Sequence, residues 1–308
     1  MKDYTFSGIW PVVPTPLTAD EKLDVEALHR IIEFEIAAGV DGLWMLGSRG
    51  EGPNLSRETH RHLISVTKEV VGERVPVISG CAAPGTQETI DNIHRAEDAG
   101  ADLVQVAQPY YYNMREPWIL THYEMVLEAA SVPVVLYFHD EKYPAIVPGI
   151  CPEVVTRFAS HPNCVGIKAA TADFVTIQGM VLSTQNINFG VTVAYGNLVY
   201  AALLIGCSGA ASPEAAFLPK LYVDIYKAVK AGKLTEAWDL QKKAIPFSNV
   251  FQPAHIPSSK TALHALGLGQ EHLSKPFLAM PEPYRQELID MIQQEYGPEY
   301  TSPYLQKQ

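Results

Sequence analysis

Short apolar segments alternate along the chain with longer segments in which apolar residues recur at helical spacing. The apolar segments are 8–13, 43–46, 75–79, 103–107, 134–138, 164–167, 190–194 and 209–212. Asp24, Ser56 and Thr86 are predicted to cap the first helices between them, since each precedes a segment with helical periodicity. Segments that are apolar throughout are typical of parallel strands covered on both faces.

Repeated strand–helix units of this kind predict an α/β fold, a (β/α)8 TIM barrel over residues 1–231. The pattern then becomes helical, with helices predicted over 221–231, 234–249, 258–266 and 283–296. Residues 232–308 are therefore predicted to form a C-terminal helical appendage with no obvious catalytic group. No Gly-x-Gly-x-x-Gly motif follows an apolar segment, so a dinucleotide-binding fold has no support.

Composition excludes several classes of partner. The formal net charge of −11 argues against nucleic acid or an anionic membrane surface as the ligand. No segment is long and apolar enough for a membrane span, and the first residues do not resemble a signal peptide. The four cysteines are widely spaced and match no zinc pattern, so we expect free thiols, no metal and a cytoplasmic location.

Lys168 is the most informative residue, because it directly follows the apolar segment 164–167. A lysine at the end of a buried strand must be paired or lose its proton. Such lysines act as amine nucleophiles towards carbonyl groups. The alternative is a side chain that extends to the surface from the strand end.

Other polar groups follow neighbouring strands, and the carboxyl ends of the strands form the active-site face of a barrel. The glycine-rich turn of Gly47, Ser48 and Arg49 can bind a carboxylate through backbone N–H groups. Tyr137 is the second-to-last residue of the fifth apolar segment, and its phenol can relay protons. Tyr111 follows the fourth segment. Each has a structural alternative: Ser48 can cap a helix, and Tyr137 can be a core aromatic.

The chain resembles the dihydrodipicolinate synthase/N-acetylneuraminate lyase family of class I aldolases from Gly8 to about Pro281. The matching motifs are Thr15-Pro16-Leu17, Val40-Asp41-Gly42, Gly47-Ser48-Arg49-Gly50-Glu51, Pro109-Tyr110-Tyr111, Leu136-Tyr137, Gly166-Ile167-Lys168 and the segment from Pro257 to Gly267. The resemblance implies a pyruvate-type 2-oxo acid substrate and a covalent imine in place of a cofactor. It also implies a homo-oligomer, a dimer or tetramer.

The resemblance assigns roles to individual residues. Lys168 is implied to form the Schiff base, and Tyr137 to move protons to and from the bound substrate. Ser48 is implied to relay protons to this tyrosine, while the turn from Gly47 to Arg49 holds the substrate carboxylate. Tyr111 matches an aromatic residue that family members lend across a subunit interface.

Several positions depart from the family pattern. Arg49 stands where the family usually has threonine; it can bind the substrate, or it can turn away to pair with Glu51 or another carboxylate. If it faces the pocket, its fixed charge favours the neutral form of the Lys168 amine. Asp140 replaces a common proline, and Lys142 stands where the synthase has an arginine for its second substrate, which argues against lysine biosynthesis.

Two further substrate contacts are predicted. His139 is either a polar group of the pocket or a histidine of a surface loop. Ala211, in the eighth apolar segment, is the other predicted contact. The remaining histidines do not suggest a metal site; His60 and His62, for example, lie two residues apart on a helix and so point to different faces.

Three functions fit these residues. The first is a lyase that cleaves a hydroxylated 2-oxo acid into pyruvate and an aldehyde, or catalyses the reverse aldol condensation. The second is another reaction of the same imine, as in a 2-keto-3-deoxy sugar acid dehydratase or dihydrodipicolinate synthase. The third is a ligand-binding pseudoenzyme in which Arg49 blocks the pocket, since fold alone does not fix function.

Overall fold

A computed structural model describes residues 5–112, 114–139 and 150–295, without the side chains of 150–154, 252–254 and 295. The strands are β1 (Gly8–Ile9), β2 (Leu43–Met45), β3 (Val77–Gly80), β4 (Leu103–Ala107), β5 (Val134–His139), β6 (Cys164–Ala170), β7 (Gly190–Val193) and β8 (Gly209–Ala210). The helices are α1 (Val25–Ala37), α2 (Arg57–Val71), α3 (Thr86–Asp98), α4 (Glu116–Ala129), α5 (Ile150–Ala159), α6 (Phe174–Thr184), α7 (Val199–Leu204), α8 (Pro219–Lys230), α9 (Leu234–Ala254), α10 (Ile256–Ala265) and α11 (Tyr284–Glu295).

The eight strands form one curled parallel sheet in a TIM-barrel-like α/β fold. Each strand from β2 to β7 pairs with the next one along the chain, and β8 pairs with β1. A parallel bridge between Val12 and Trp44 joins the residues after β1 to β2. All eight predicted strands are present, but β1 is short because Pro11 has no N–H to donate to a ladder.

Successive side chains along each strand point alternately into two different apolar clusters. On β5, Val134, Leu136 and Phe138 belong to the large hydrophobic cluster beneath the helices. Val135 belongs to a second cluster inside the curled sheet, together with Trp44. Residues of the same parity as Val135 therefore point inward, and near the carboxyl end of β5 these are Tyr137 and His139.

Two of the three predicted helix caps are confirmed. The Asp24 and Ser56 side chains accept hydrogen bonds from the backbone N–H groups of Ala27 and Thr59. The third is wrong by one residue, because Gly85 is the N-cap of α3 and Thr86 is its first residue. The Thr86 hydroxyl instead lies 2.9 Å from Nδ1 of His122 on α4.

The C-terminal helices follow the predicted pattern with shifted ends. Helix α9 extends to Ala254 and packs against α8 and α11, while α10 packs against α11. The division of the chain at residue 231 stays a prediction. No described helix is long and apolar enough to cross a membrane.

The described cysteines are buried free thiols, as predicted. Burial raises the pKa of Cys81, Cys164 and Cys207 to about 12, so these thiols stay protonated and unreactive at neutral pH. The side chain of Cys151 lies outside the described residues. Among the described histidines, cysteines and carboxylates, no group is arranged to hold a metal ion.

Glu35 on α1 generates a prediction about stability. It is fully buried, and neither carboxyl oxygen has a hydrogen-bond partner in the described part of the chain. Burial raises the pKa of Glu35 well above 4.5, so the folded state holds this proton more tightly than the unfolded chain. The stabilising effect of the proton is complete below pH 4.5 and is lost as pH rises towards the folded-state pKa.

Glu35→Met is therefore expected to raise the free energy of unfolding at neutral pH by about 1–3 kcal/mol, and by less at acidic pH. Urea unfolding at several pH values measures the difference. Glu26→Met, at an exposed site of the same helix, is the control and should have a small, pH-insensitive effect. Equal pH dependence in wild type and Glu35→Met would contradict the interpretation.

Candidate active site

Strands β5 and β6 place a lysine and a tyrosine side by side. Lys168 pairs in register with Tyr137, and both side chains point into the curled sheet. Lys168 is only 6% exposed, so its side chain does not extend to the surface. Its Nζ lies 4.9 Å from the ring centroid of Trp44 and 5.2 Å from that of Tyr137. The amine thus lies over two aromatic rings.

Lys168 lines a small cavity of about 50 Å³. The lining of this cavity consists of Ser48, Arg49, Tyr137, His139, Lys168, Ala170, Ala194, Tyr195, Pro213 and His255. Strands β5, β6 and β7 and the turn after β2 therefore contribute to one cavity, which we name the lysine pocket. Five of the residues predicted from sequence line it together.

The turn after β2 is tightly constrained. Leu46 and Glu51 flank it with φ values of 57° and 59°, the left-handed region that non-glycine residues rarely adopt. A Cβ added at Gly52 or Gly80 would lie 2.1 or 2.2 Å from the Leu46 carbonyl oxygen, so only glycine fits at these two positions. The turn is packed directly against the end of β3.

The turn closes on itself and leaves a donor available. Backbone N–H groups of Glu51 and Gly52 donate to the carbonyls of Ser48 and Gly47, each at 3.2 Å. The N–H of Ser48 has no acceptor among the described residues. Backbone N–H groups in such a turn can bind a carboxylate.

Glu51 anchors the turn to the C-terminal helices. Its Oε1 lies 2.7 Å from Nζ of Lys260, with side chains 0% and 2% exposed. Its Oε2 accepts hydrogen bonds from the backbone N–H and the hydroxyl of Ser274, both at 2.7 Å. Lys260 also donates to the carbonyl of His272. Burial lowers the pKa of Lys260, and the Glu51 carboxylate opposes this effect.

The Glu51 carboxylate is engaged by Lys260 and Ser274, and the role of Arg49 stays a prediction. Its guanidinium donates to the carbonyl of His255 and lies 4.7 Å from the ring centroid of Phe251. Burial lowers its pKa to about 10, against the opposing charge of Glu214, so Arg49 stays charged at neutral pH. The guanidinium contacts the C-terminal helices while still lining the lysine pocket.

His139 is the last residue of β5 and is buried, so the alternative of a surface loop is wrong. Its ring lies perpendicular to that of Tyr137, with centroids 5.9 Å apart. Asp140 and Lys142, which distinguish the chain from the family pattern, lie outside the described residues.

Two predicted site residues lie elsewhere. Ala211 is 0% exposed in the apolar cluster inside the sheet and lines neither the lysine pocket nor the neighbouring cavity, so its contact with a substrate stays a prediction. Tyr111 is 75% exposed beside Tyr112 and lines neither of the two cavities at this end of the sheet. The preceding residue, Tyr110, lines the larger of these cavities.

Sequence reasoning missed several groups of the site. Trp44 lies within the predicted second strand, and strand alternation alone could have placed it inward beside the lysine. Tyr195 follows β7 and was recoverable as a strand-end residue. His255 had no such signal, because it precedes α10 in the C-terminal segment, where the sequence shows no obvious catalytic group. It nevertheless lines the lysine pocket.

Comparison with known proteins gives one consistent result. The model of the dihydrodipicolinate synthetase family matches residues 5–295. The 4-hydroxy-tetrahydrodipicolinate synthase of Acidiphilium cryptum is 32% identical over 278 residues, covering 90% of this chain and 94% of its own length. The putative 2-dehydro-3-deoxy-D-gluconate aldolase YagE of Escherichia coli is 30% identical over 303 residues, covering 94% and 97%. A crystal structure of YagE with pyruvate superposes with a TM-score of 0.87 at 30% identity, covering 94% and 98% of the two chains.

The ion pair between Glu51 and Lys260 generates a second prediction. Lys260→Met leaves a buried carboxylate without its counter-charge, which is expected to destabilise the protein by about 3–5 kcal/mol. Adding Glu51→Gln to this variant should recover part of the loss, because the unpaired charge is removed. Urea unfolding gives both values, with exposed Lys243→Met as control. A Lys260 variant as stable as the control would exclude the ion pair as an anchor.

Proposed function

The chain belongs to the dihydrodipicolinate synthetase family, and from that premise we propose that it is a lyase that cleaves a hydroxylated 2-oxo acid into pyruvate and an aldehyde. The reverse reaction is an aldol condensation with pyruvate. The proposed framework is a closed (β/α)8 barrel whose strand ends carry the site. The observation that carries the proposal is the buried amine of Lys168 beside Tyr137 and the constrained turn.

We propose that the neutral amine of Lys168 attacks the ketone of the substrate. The carbonyl oxygen leaves as water, and an iminium joins Nζ to the former ketone carbon. Ring faces of Trp44 and Tyr137, with centroids 4.9 and 5.2 Å from Nζ, favour this cation. The charge of Arg49 in the same pocket opposes protonation of the free amine, and so favours the nucleophilic form.

The substrate carboxylate is proposed to lie against the turn from Gly47 to Arg49. The Ser48 N–H can donate to it, and the Arg49 guanidinium supplies a positive charge from the same lining. Both groups are held in place before substrate arrives, the first by the anchored turn and the second by His255 and Phe251. Fixed donors lose little entropy when they bind.

Tyr137 is proposed to move the proton needed for carbon–carbon cleavage. It takes the proton of the substrate hydroxyl as the neighbouring carbon–carbon bond breaks, which releases the aldehyde. The bonding electrons pass into the iminium and give an enamine, whose carbon then takes up a proton. Addition of water to the resulting imine releases pyruvate and regenerates the Lys168 amine. Ser48 lines the same pocket and can relay protons to Tyr137.

The name of the Acidiphilium relative supports synthase activity as a second candidate. Lys142 at the position of the synthase arginine favours the lyase, because lysine does not reproduce a bidentate guanidinium contact. A dehydratase would use the same imine and stays an alternative. Lys168 and Tyr137 in one pocket disfavour a ligand-binding pseudoenzyme.

The exposed Tyr111 is proposed to complete a neighbouring subunit's site in a homo-oligomer.

Borohydride reduction in the presence of pyruvate is expected to leave a reduced pyruvyl group on Lys168, because reduction traps the imine. Peptide mapping by mass spectrometry identifies the modified residue. Lys168→Ala should lose labelling and turnover while keeping the wild-type circular dichroism spectrum. Label on another lysine, or none on folded wild-type protein, would contradict the proposal.

Tyr137→Phe is expected to lower kcat by about 10²–10⁴, the range for loss of a positioned acid–base group. The ring that packs beside Nζ of Lys168 is retained, so imine formation should survive better than cleavage. Steady-state kinetics of pyruvate release, compared with single-turnover trapping, separates the two steps. A Phe variant within a few-fold of wild type would show that the hydroxyl moves no proton.

A further inference from the structure

A second and larger cavity adjoins the lysine pocket, with a volume of about 330 Å³. Ser48 and Tyr137 line both cavities, so they form the boundary between them. The remaining lining residues are Leu46, Glu51, Pro53, Asn54, Ala82, Gln105, Ala107, Tyr110, Ile256 and Phe277. We name it the tail cavity. A group attached to a substrate bound at Lys168 can enter it by passing Ser48 and Tyr137, beside which the reacting bond is proposed to lie.

The tail cavity carries no unbalanced charge. Glu51 is the one charged residue among its described lining residues, and its carboxylate is already engaged by Lys260 and Ser274. Tyr110 stays neutral, because burial and the charge of Glu88 raise the pKa of its phenol. The lysine pocket differs in this respect, since the charged Arg49 lines it. A carboxylate is thus favoured in the lysine pocket and disfavoured in the tail cavity.

Gln105 gives the tail cavity a specific polar group. It lies on β4 with the same parity as Leu103, which belongs to the apolar cluster inside the sheet, so its side chain points inward. It is only 3% exposed, and its Nε2 has no hydrogen-bond partner among the described residues. A buried amide without a partner is costly, and such groups are commonly kept for a ligand.

We propose that the tail cavity binds the aldehyde-derived part of the substrate, and that Gln105 hydrogen-bonds to a hydroxyl group on it. The inference rests on the proposed function. A hydroxyl suits this site because it both donates and accepts, and a half-turn of the amide exchanges its oxygen and nitrogen. The preferred aldehyde is therefore neutral and hydroxylated. Gln105 determines specificity at this site, whereas Lys168 and Arg49 serve the pyruvate-derived part.

The test compares aldehydes in condensation with pyruvate. Glycolaldehyde and glyceraldehyde are the neutral hydroxylated probes, and glyoxylate and succinate semialdehyde are the anionic ones. Wild-type kcat/KM should be at least about tenfold higher for the better neutral probe than for either anion. A preference for an anionic aldehyde would overturn the proposal.

Two variants test the cavity itself. Gln105→Leu should lower kcat/KM for the hydroxylated aldehyde by about tenfold, the loss expected for one hydrogen bond. Ala82→Leu should fill the cavity and reduce turnover further. In both variants, borohydride trapping of pyruvate on Lys168 should remain at the wild-type level. Gln108→Leu is the matched control, because Gln108 is a buried glutamine just after β4 that does not line the cavity.

The outcomes separate this inference from the function on which it rests. If wild-type protein traps pyruvate but Gln105→Leu leaves kcat/KM unchanged for every aldehyde, the role of Gln105 is excluded while the lyase stands. If Gln105→Leu also loses pyruvate trapping, or Gln108→Leu has the same effect, the glutamine is structural and the inference fails. If folded wild-type protein traps no pyruvate, the proposed function and the inference fail together.

Discussion

The buried ion pair between Glu51 and Lys260 is the interaction on which the geometry of the site depends. Its atoms lie 2.7 Å apart with almost no solvent exposure, and Ser274 donates two hydrogen bonds to the other oxygen of the carboxylate. A buried ion pair adds little to stability by itself, but loss of one partner is strongly unfavourable. The pair therefore fixes one arrangement in which the turn after β2 is attached to the C-terminal helices. Those helices are thus a structural component of the site.

The same anchor explains how the turn keeps its strained conformation. Leu46 and Glu51 both have positive φ, which surrounding contacts must maintain. Glycines at positions 52 and 80 allow the backbone to approach closely, and the Glu51 side chain holds the far end. The turn, whose Ser48 and Arg49 line the same pocket as Lys168, is consequently held in one conformation. Binding a carboxylate then requires little rearrangement, which favours both affinity and alignment of the reacting groups.

Much of the fold was predictable because strand and helix periodicities are local properties of the sequence. Lys168 and Tyr137 were recoverable in the same way, since strand ends in such a fold meet on one face. The position of Arg49 was not recoverable, because its contacts with Phe251 and His255 join residues about 200 positions apart. Gln105 was missed for another reason: a glutamine within an apolar segment has no distinguishing pattern until its surroundings are known. The depth of Ala211 was also not recoverable, because strand alternation alone does not show how far inside the sheet a residue lies.

The central claim is that the anchored turn and Lys168 together hold a 2-oxo acid. A crystal structure of the pyruvate adduct tests this most directly. We predict continuous density from Nζ of Lys168 to the former ketone carbon, with the carboxylate within hydrogen-bond distance of the Ser48 N–H. We also predict that the Glu51–Lys260 pair is unchanged. A carboxylate directed away from the turn, or an adduct on any other lysine, would contradict the claim.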